Sequence, residues 1–209
     1  MRINSFIYRM TAVLNIYFPL NSSATGLKDT IMDSTFTISF PVGYQKFNQK
    51  QLYNFQLNRW YSLGYLKYED LKSAGEKINT FSDWKNVMIE EAERKTDNKQ
   101  FIEAAFYYRA AEFYTLPDDK DKELLYEKFI ELFYQYMPLE GTSREKVPYK
   151  DSYLPVMHLQ AQSATKKGTI LIHGGFDSFI EEFYPMAWHF SQQGYEVLAF
   201  EGTGQGAAL

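Results

Sequence analysis

Two glycine turns carry the residues best suited to chemistry: His173-Gly174-Gly175-Phe176 and Gly202-Thr203-Gly204-Gln205-Gly206. Each follows a short apolar run, Thr169–Ile172 and Tyr195–Phe200. Glycine allows backbone conformations that side chains forbid, and its missing side chain lets a substrate oxygen reach the backbone N–H groups. A loop of this kind can stabilise the negative oxygen that develops during acyl transfer. The donor expected here is the N–H of Phe176, with Gly175 shaping the turn. Losing one such donor typically costs about 2.7–4 kcal/mol of transition-state stabilisation. A competing pattern is present as well. Gly202, Gly204 and Ala207 fit the dinucleotide fingerprint G-x-G-x-x-A, which needs an opening helix and an acidic residue about twenty positions on.

The elements that would position these turns form a βαβ unit. The two apolar runs suit parallel strands buried on both faces. Between them Phe179, Phe183, Ala187 and Phe190 recur at helical spacing, and Gly194 stands where a left-handed cap is wanted. Ser178 and Glu181 are spaced as a capping box, and Pro185 suits a first helical turn. Asp177 is placed to cap or to contact a substrate. Ligands of open α/β sheets bind at the carboxyl ends of such strands.

Upstream the pattern is helical. From Asn48 to about Gly75, Leu52, Phe55, Trp60 and Leu63 make one stripe, broken near Gly64. Thr80 and Asp83 read as a capping box, opening a helix with Trp84, Val87, Met88 and Ala92 on its apolar face. Phe101–Tyr114 is apolar around so much of its circumference that burial on several sides is expected. Arg109 and Glu112, two of its few charges, read as a solvated pair. A further helix carries Leu125, Phe129, Leu132, Phe133 and Tyr136. Pro138–Lys146 reads as a linker, and Val147–Lys150 with Leu154–Gln160 as a β-hairpin in which His158 is structural. No second copy of the aromatic helices recurs at a fixed period, so a repeat array is not expected.

These residues carry a resemblance. HGGFDSFIEEFY, a strand, then EGTGQG resembles the α/β-hydrolases that place a helical domain before the catalytic one, a group that includes the fermentation-respiration switch proteins and dihydroxypseudooxynicotine hydrolase. Gly174, Gly175, Asp177, Ser178 and Glu181 match a GG-x-D-S-x-x-E loop, and Gly202, Gly204, Gln205 and Gly206 match a D-G-P-G-Q-G turn. Glu201 and Thr203 depart from the Asp and Pro of that turn. The resemblance implies an α/β fold in which a hydrolase-type parallel sheet follows a helical cap domain. It covers most of the chain after about Phe40, implying the cap over 41–137 and the start of the catalytic domain over 138–209, while 1–40 reads from its own residues as an extension ending in a short strand. It also implies that Gly174, Asp177 and Glu181 bind substrate beside the Phe176 donor.

Bulk properties narrow the partners. The 209 residues include 17 Tyr, 17 Phe and 3 Trp, ample for a core. A net charge of −4 gives no reason to expect nucleic acid or an anionic membrane. The absence of cysteine removes disulfides, thiolate metal sites and Cys nucleophiles, and three scattered histidines make no metal signature. No cofactor is expected, and no run is long and apolar enough for a membrane-spanning helix. The amino end pairs Arg2 and Arg9 with apolar residues like a secretory leader, but Asn15, Pro19 and Asn21 interrupt it. The other reading is an extension, with the working chain starting near Met32 and residing in the cytoplasm.

No G-x-S-x-G nucleophile elbow occurs in the sequence. The expectation is therefore the amino-terminal portion of a serine hydrolase acting on an ester, amide or activated carbon–carbon bond of a small molecule, inactive by itself. A strand edge left unpaired would favour self-association, a homodimer included. The alternative is a non-catalytic helical interaction module carrying a vestigial hydrolase start.

Overall fold

A computed structural model describes residues 40–208. The leader-like start and all but the last residue of the strand expected over Thr35–Phe40 lie outside that range. Five helices come first: α1 Gln51–Ser62, α2 Tyr68–Lys77, α3 Phe81–Asp97, α4 Phe101–Phe113 and α5 Asp121–Tyr136. Strands β1 Thr142–Tyr149 and β2 Ser152–Leu159 form a hairpin, followed by β3 Gly168–His173, a short 3₁₀ turn at Ile180–Phe183, α6 Tyr184–Gln192 and β4 Tyr195–Phe200.

The buried face of α1 is Tyr53, Leu57 and Trp60, while Leu52 and Phe55 are exposed. Of the expected stripe, Trp60 is buried and Leu63 packs against the core, whereas Leu52 and Phe55 are corrected, and polar side chains are the reason. Asn54 and Asn58 take interior positions because they bind the backbone of the preceding segment. Asn54 Oδ1 accepts from the Phe47 N–H at 2.7 Å, and Asn58 Oδ1 from the Gln45 N–H at 2.7 Å. A buried amide whose hydrogen bonds are met costs little, so polarity alone misplaced the helix face. Gly64, at φ +82°, then turns the chain out of the helix.

The cap at Thr80 forms as expected, with Thr80 Oγ1 accepting from the Asp83 N–H at 3.0 Å and Asp83 Oδ2 accepting from the Thr80 N–H at 2.9 Å. Trp84, Val87, Met88 and Ala92 are buried below it. Helix α4 is covered on all sides, and every residue from Ile102 to Glu112 is buried. On α5 the stripe Leu125, Phe129 and Phe133 faces inward.

The sheet has four strands in the order β1-β2-β4-β3. β3 and β4 are parallel, as the βαβ pattern predicts, with Gly168 opposite Tyr195 and His173 opposite Phe200. Both the β1–β2 and β2–β4 pairs are antiparallel, so the sheet is mixed. The hairpin is longer than expected, because Thr142–Lys146 pairs with β2 instead of serving as linker. Its polar alternation is that of a strand with one solvated face, which resembles a linker when read alone. Lys150, at φ +50°, makes the turn. β3 alternates between half-buried and exposed residues, and Leu171 is 55% exposed, so two-sided burial holds for the middle of β4 but not for β3. Helices and sheet share one core: Phe106, Phe129 and Phe133 belong to the same apolar cluster as Phe179, Tyr184 and Val197.

Candidate functional site

The first glycine turn leaves the carboxyl end of β3 and enters the 3₁₀ turn before α6. A side chain at Gly174 would stand 3.2 Å from the Ser178 carbonyl oxygen and 3.3 Å from the Phe183 ring, so packing favours glycine there. Gly175 has open space where a side chain would be. Phe176 is 99% exposed, and among the described residues no acceptor takes its N–H. The turn therefore presents a free backbone donor at the sheet edge where ligands of α/β folds bind.

Two arginines from the helical layer grip the far side of this turn. Arg59 of α1 reaches Asp177 Oδ2 at 3.1 Å, Ser178 Oγ at 3.1 Å and Glu182 Oε2 at 2.6 Å. Arg109 of α4 donates to Glu182 Oε1 at 2.9 Å, to Glu112, and to the Asp177 carbonyl oxygen. The Arg109 guanidinium lies 3.9 Å from the Phe179 ring centre, a cation–π contact. Arg109 is 2% exposed and Glu112 is buried too, so the solvated pair read from the sequence is corrected. The physical cause is the planar five-donor guanidinium, which lets one buried cation meet two carboxylates and a carbonyl together. A lone basic residue inside an otherwise apolar helix was the available signal, since such a charge must find a partner when buried.

Capping of the following turn also differs from the expected Ser178–Glu181 pairing. Ser178 Oγ serves Arg59, and it is Glu182 that reaches back to the Phe179 N–H at 3.2 Å. Pro185 sits in the first turn of α6, as expected. Gly174, Gly175, Phe176 and Asp177 are thus together in one turn, with the Asp177 carboxylate engaged by Arg59. Glu181 is sent inward instead. The Tyr134 hydroxyl donates to its Oε1 at 2.7 Å, the Arg144 guanidinium is 3.9 Å away, and its Oε2 has no partner.

The second turn is built around Glu201, which the sequence showed only as a departure from Asp. Glu201 is 1% exposed; its Oε2 accepts from the Ala207 N–H at 3.0 Å and its Oε1 from the Ile180 N–H at 3.4 Å. Gly206, at φ +47°, lies directly over it, and a side chain there would come 2.1 Å from Oε1. Burial first, and then the charge of nearby Glu181, push the Glu201 carboxyl up to about 7. Burial also pushes Glu181 up, against the pull of Arg144 and Tyr134. Gln205 Oε1 accepts from the Gly202 N–H at 3.0 Å. The Gly202 and Ala207 N–H groups are therefore occupied inside the turn, which leaves the dinucleotide reading without those donors for a phosphate. His158 bridges Glu145 at 3.2 Å and Glu196 at 2.9 Å across neighbouring strands, a structural role as expected.

No family model matches the chain. Among curated proteins it is 34% identical over 131 residues to the hydrolase acrC of Aspergillus aculeatus, covering 52% of this chain and 30% of that protein. It is 32% identical over 120 residues to the hydrolyase poxO of Penicillium oxalicum, covering 53% of this chain and 28% of that protein. The chain thus spans about 30% of the length of the curated relatives it matches. Among solved structures, wild-type AbyA5 aligns at a TM-score of 0.57 with 16% identity, over 75% of this chain and 46% of that one. The crystal structure of 2,6-dihydroxy-pseudo-oxynicotine hydrolase aligns at a TM-score of 0.46 with 21% identity, too low to argue a fold from. Helices followed by a small mixed sheet, with AbyA5 as a fold neighbour and a hydrolase among the sequence relatives, make this chain similar in fold to α/β-hydrolase-type proteins over part of their length.

Proposed function

We propose that the chain is the amino-terminal portion of a serine α/β-hydrolase acting on an ester, amide or activated carbon–carbon bond of a small molecule. The Phe176 N–H supplies half of its oxyanion hole, and Gly174 and Asp177 border the substrate. The observation that carries this reading is the unbonded Phe176 N–H, presented after the third strand and before a helix. In α/β-hydrolases the loop in that position contributes one oxyanion donor, and the residue after the nucleophile contributes the other. The hydrolase name of acrC supports the same reaction class. Helices α1, α4 and α5 wall the site and hold the loop, and the protein works in the cytoplasm without a cofactor. Among the described residues no helix is long and apolar enough to cross a membrane. The helical interaction module has weaker support, because the α4 aromatics a docking face would use are buried.

Fluorophosphonate labelling of the protein as its gene encodes it, with the labelled serine mapped, tests the proposal. One labelled serine within a G-x-S-x-G elbow is expected, outside the 209 residues, with the 209-residue chain unlabelled. Stoichiometric labelling of a serine within those residues would overturn it. So would a gene that encodes no such elbow.

A further inference from the structure

We propose that Gln205 is a positioning residue that aims the oxyanion donor, an inference that rests on the function proposed above. The donor is the N–H of the peptide unit joining Gly175 to Phe176, whose C=O belongs to Gly175. In a trans peptide those two groups point in opposite directions within one plane, so fixing the oxygen fixes the hydrogen. Among the described residues there are no cis peptides. The Gln205 side-chain Nε2 donates to the Gly175 oxygen.

Four further observations make this contact more than incidental. Gln205 Oε1 accepts from the Gly202 N–H at 3.0 Å, which settles which end of the amide faces Gly175. The side chain therefore bridges the two glycine turns, one end in each. Gly175 has no neighbour within 4 Å of where a side chain would be, so the Gln205 bond reaches this peptide from a side that is otherwise open. The turn that delivers Gln205 is itself constrained. Gly204 is at φ +84°, and a side chain at Gly202 would stand 3.0 Å from His173 Nε2. On the other side of Phe176, Arg109 holds the Asp177 oxygen. The donor thus lies between two pinned carbonyls, one held from the sheet edge and one from the helical layer. A hydrogen bond accepted at the C=O also polarises the peptide, which strengthens its N–H as a donor.

The chemistry requires an amide side chain. Glutamate keeps an acceptor for Gly202 but has no proton for Gly175, and methionine offers neither. The sequence provides a clean probe, because Gly175-Phe176 is the one Gly-Phe pair among its 209 residues. Labelling glycine with carbonyl ¹³C and phenylalanine with ¹⁵N gives a single correlated peptide signal from this bond in the 209-residue chain. We expect Q205E and Q205M to move that carbonyl resonance upfield, as loss of an accepted hydrogen bond requires. Q205E retains the Gly202 contact and serves even where Q205M does not fold. A resonance at the wild-type position in Q205E would overturn the inference. In ester turnover by the protein as encoded, Q205E should lower kcat about tenfold with KM unchanged; an unchanged kcat would also overturn it. The carbonyl label needs no substrate, so its outcome is separate from that of wild-type ester turnover, which tests the hydrolase reading.

Discussion

Arg109 ties the helical layer to the loop from a fully buried position. Removing it leaves Glu182 with Arg59 and Glu112 with Lys122 as their cationic partners, and leaves the Asp177 carbonyl with the longer 3.5 Å contact from Arg59. Breaking a buried ion pair from one side typically costs about 3–5 kcal/mol. Arg109→Met should therefore lower the melting temperature by roughly 6–20 °C, with Arg109→Lys in between because an ammonium cannot span three partners. A melt within two degrees of wild type, measured by circular dichroism, would show that the cluster does not hold the loop. Glu201 makes a prediction of opposite character. Its folded carboxyl is raised from 4.5 to about 7, so the folded state keeps a proton that the unfolded chain releases. Stability is then full below about pH 4.5 and declines as pH rises through about 7. Its whole loss is about 3 kcal/mol. Glu181 is shifted in the same direction, with Arg144 and Tyr134 facing it in opposition, so the pair titrates together. Melts at pH 5 and pH 8.5 should differ by several degrees in wild type and much less in Glu201→Gln; equal pH dependence in the two would contradict the assignment. The candidate donor was legible from two glycines after an apolar run. Arg59, Arg109 and Glu182 were not, because their meaning lies in pairing across more than seventy positions of sequence, as Arg109 with Glu182 shows.

At the level of elements, signals confined to a few residues were readable. The capping box at Thr80, the left-handed Gly194 at φ +89° and the parallel β3–β4 pair all follow from short-range pattern. Thr80→Ala should cost about 1 kcal/mol, roughly 2–4 °C in the melt, since it removes one of two reciprocal cap bonds. A larger loss would mean that Thr80 packs as well as caps. What pattern could not supply was helix orientation where polar residues turn inward. Asn54 and Asn58 are buried because the 45–48 backbone lacks regular partners and they provide them. Strand β1 was hidden for a related reason: Ser143, Arg144 and Glu145 sit on a sheet edge, where charge is tolerated.

For the whole molecule, the sheet's β3 edge is the exposed feature. Among the described residues β3 has a neighbour on one side only, Leu171 is 55% exposed and Phe176 stands out fully. An open apolar edge is a template for pairing with another chain. The 209-residue chain should therefore elute from size exclusion above its monomer mass of 24.5 kDa, and Leu171→Lys should return it towards monomer. A monodisperse wild-type monomer would show that the edge is already covered. The central claim is that helices and glycine turns together present the Phe176 N–H to a reacting carbonyl. Its most direct test is a crystal structure of the protein as its gene encodes it, carrying a phosphonate bound covalently to the nucleophile. The account predicts the phosphonyl oxygen within about 2.7–3.1 Å of the Phe176 nitrogen. An adduct whose oxygen is held by other donors, with Phe176 turned away, would contradict it.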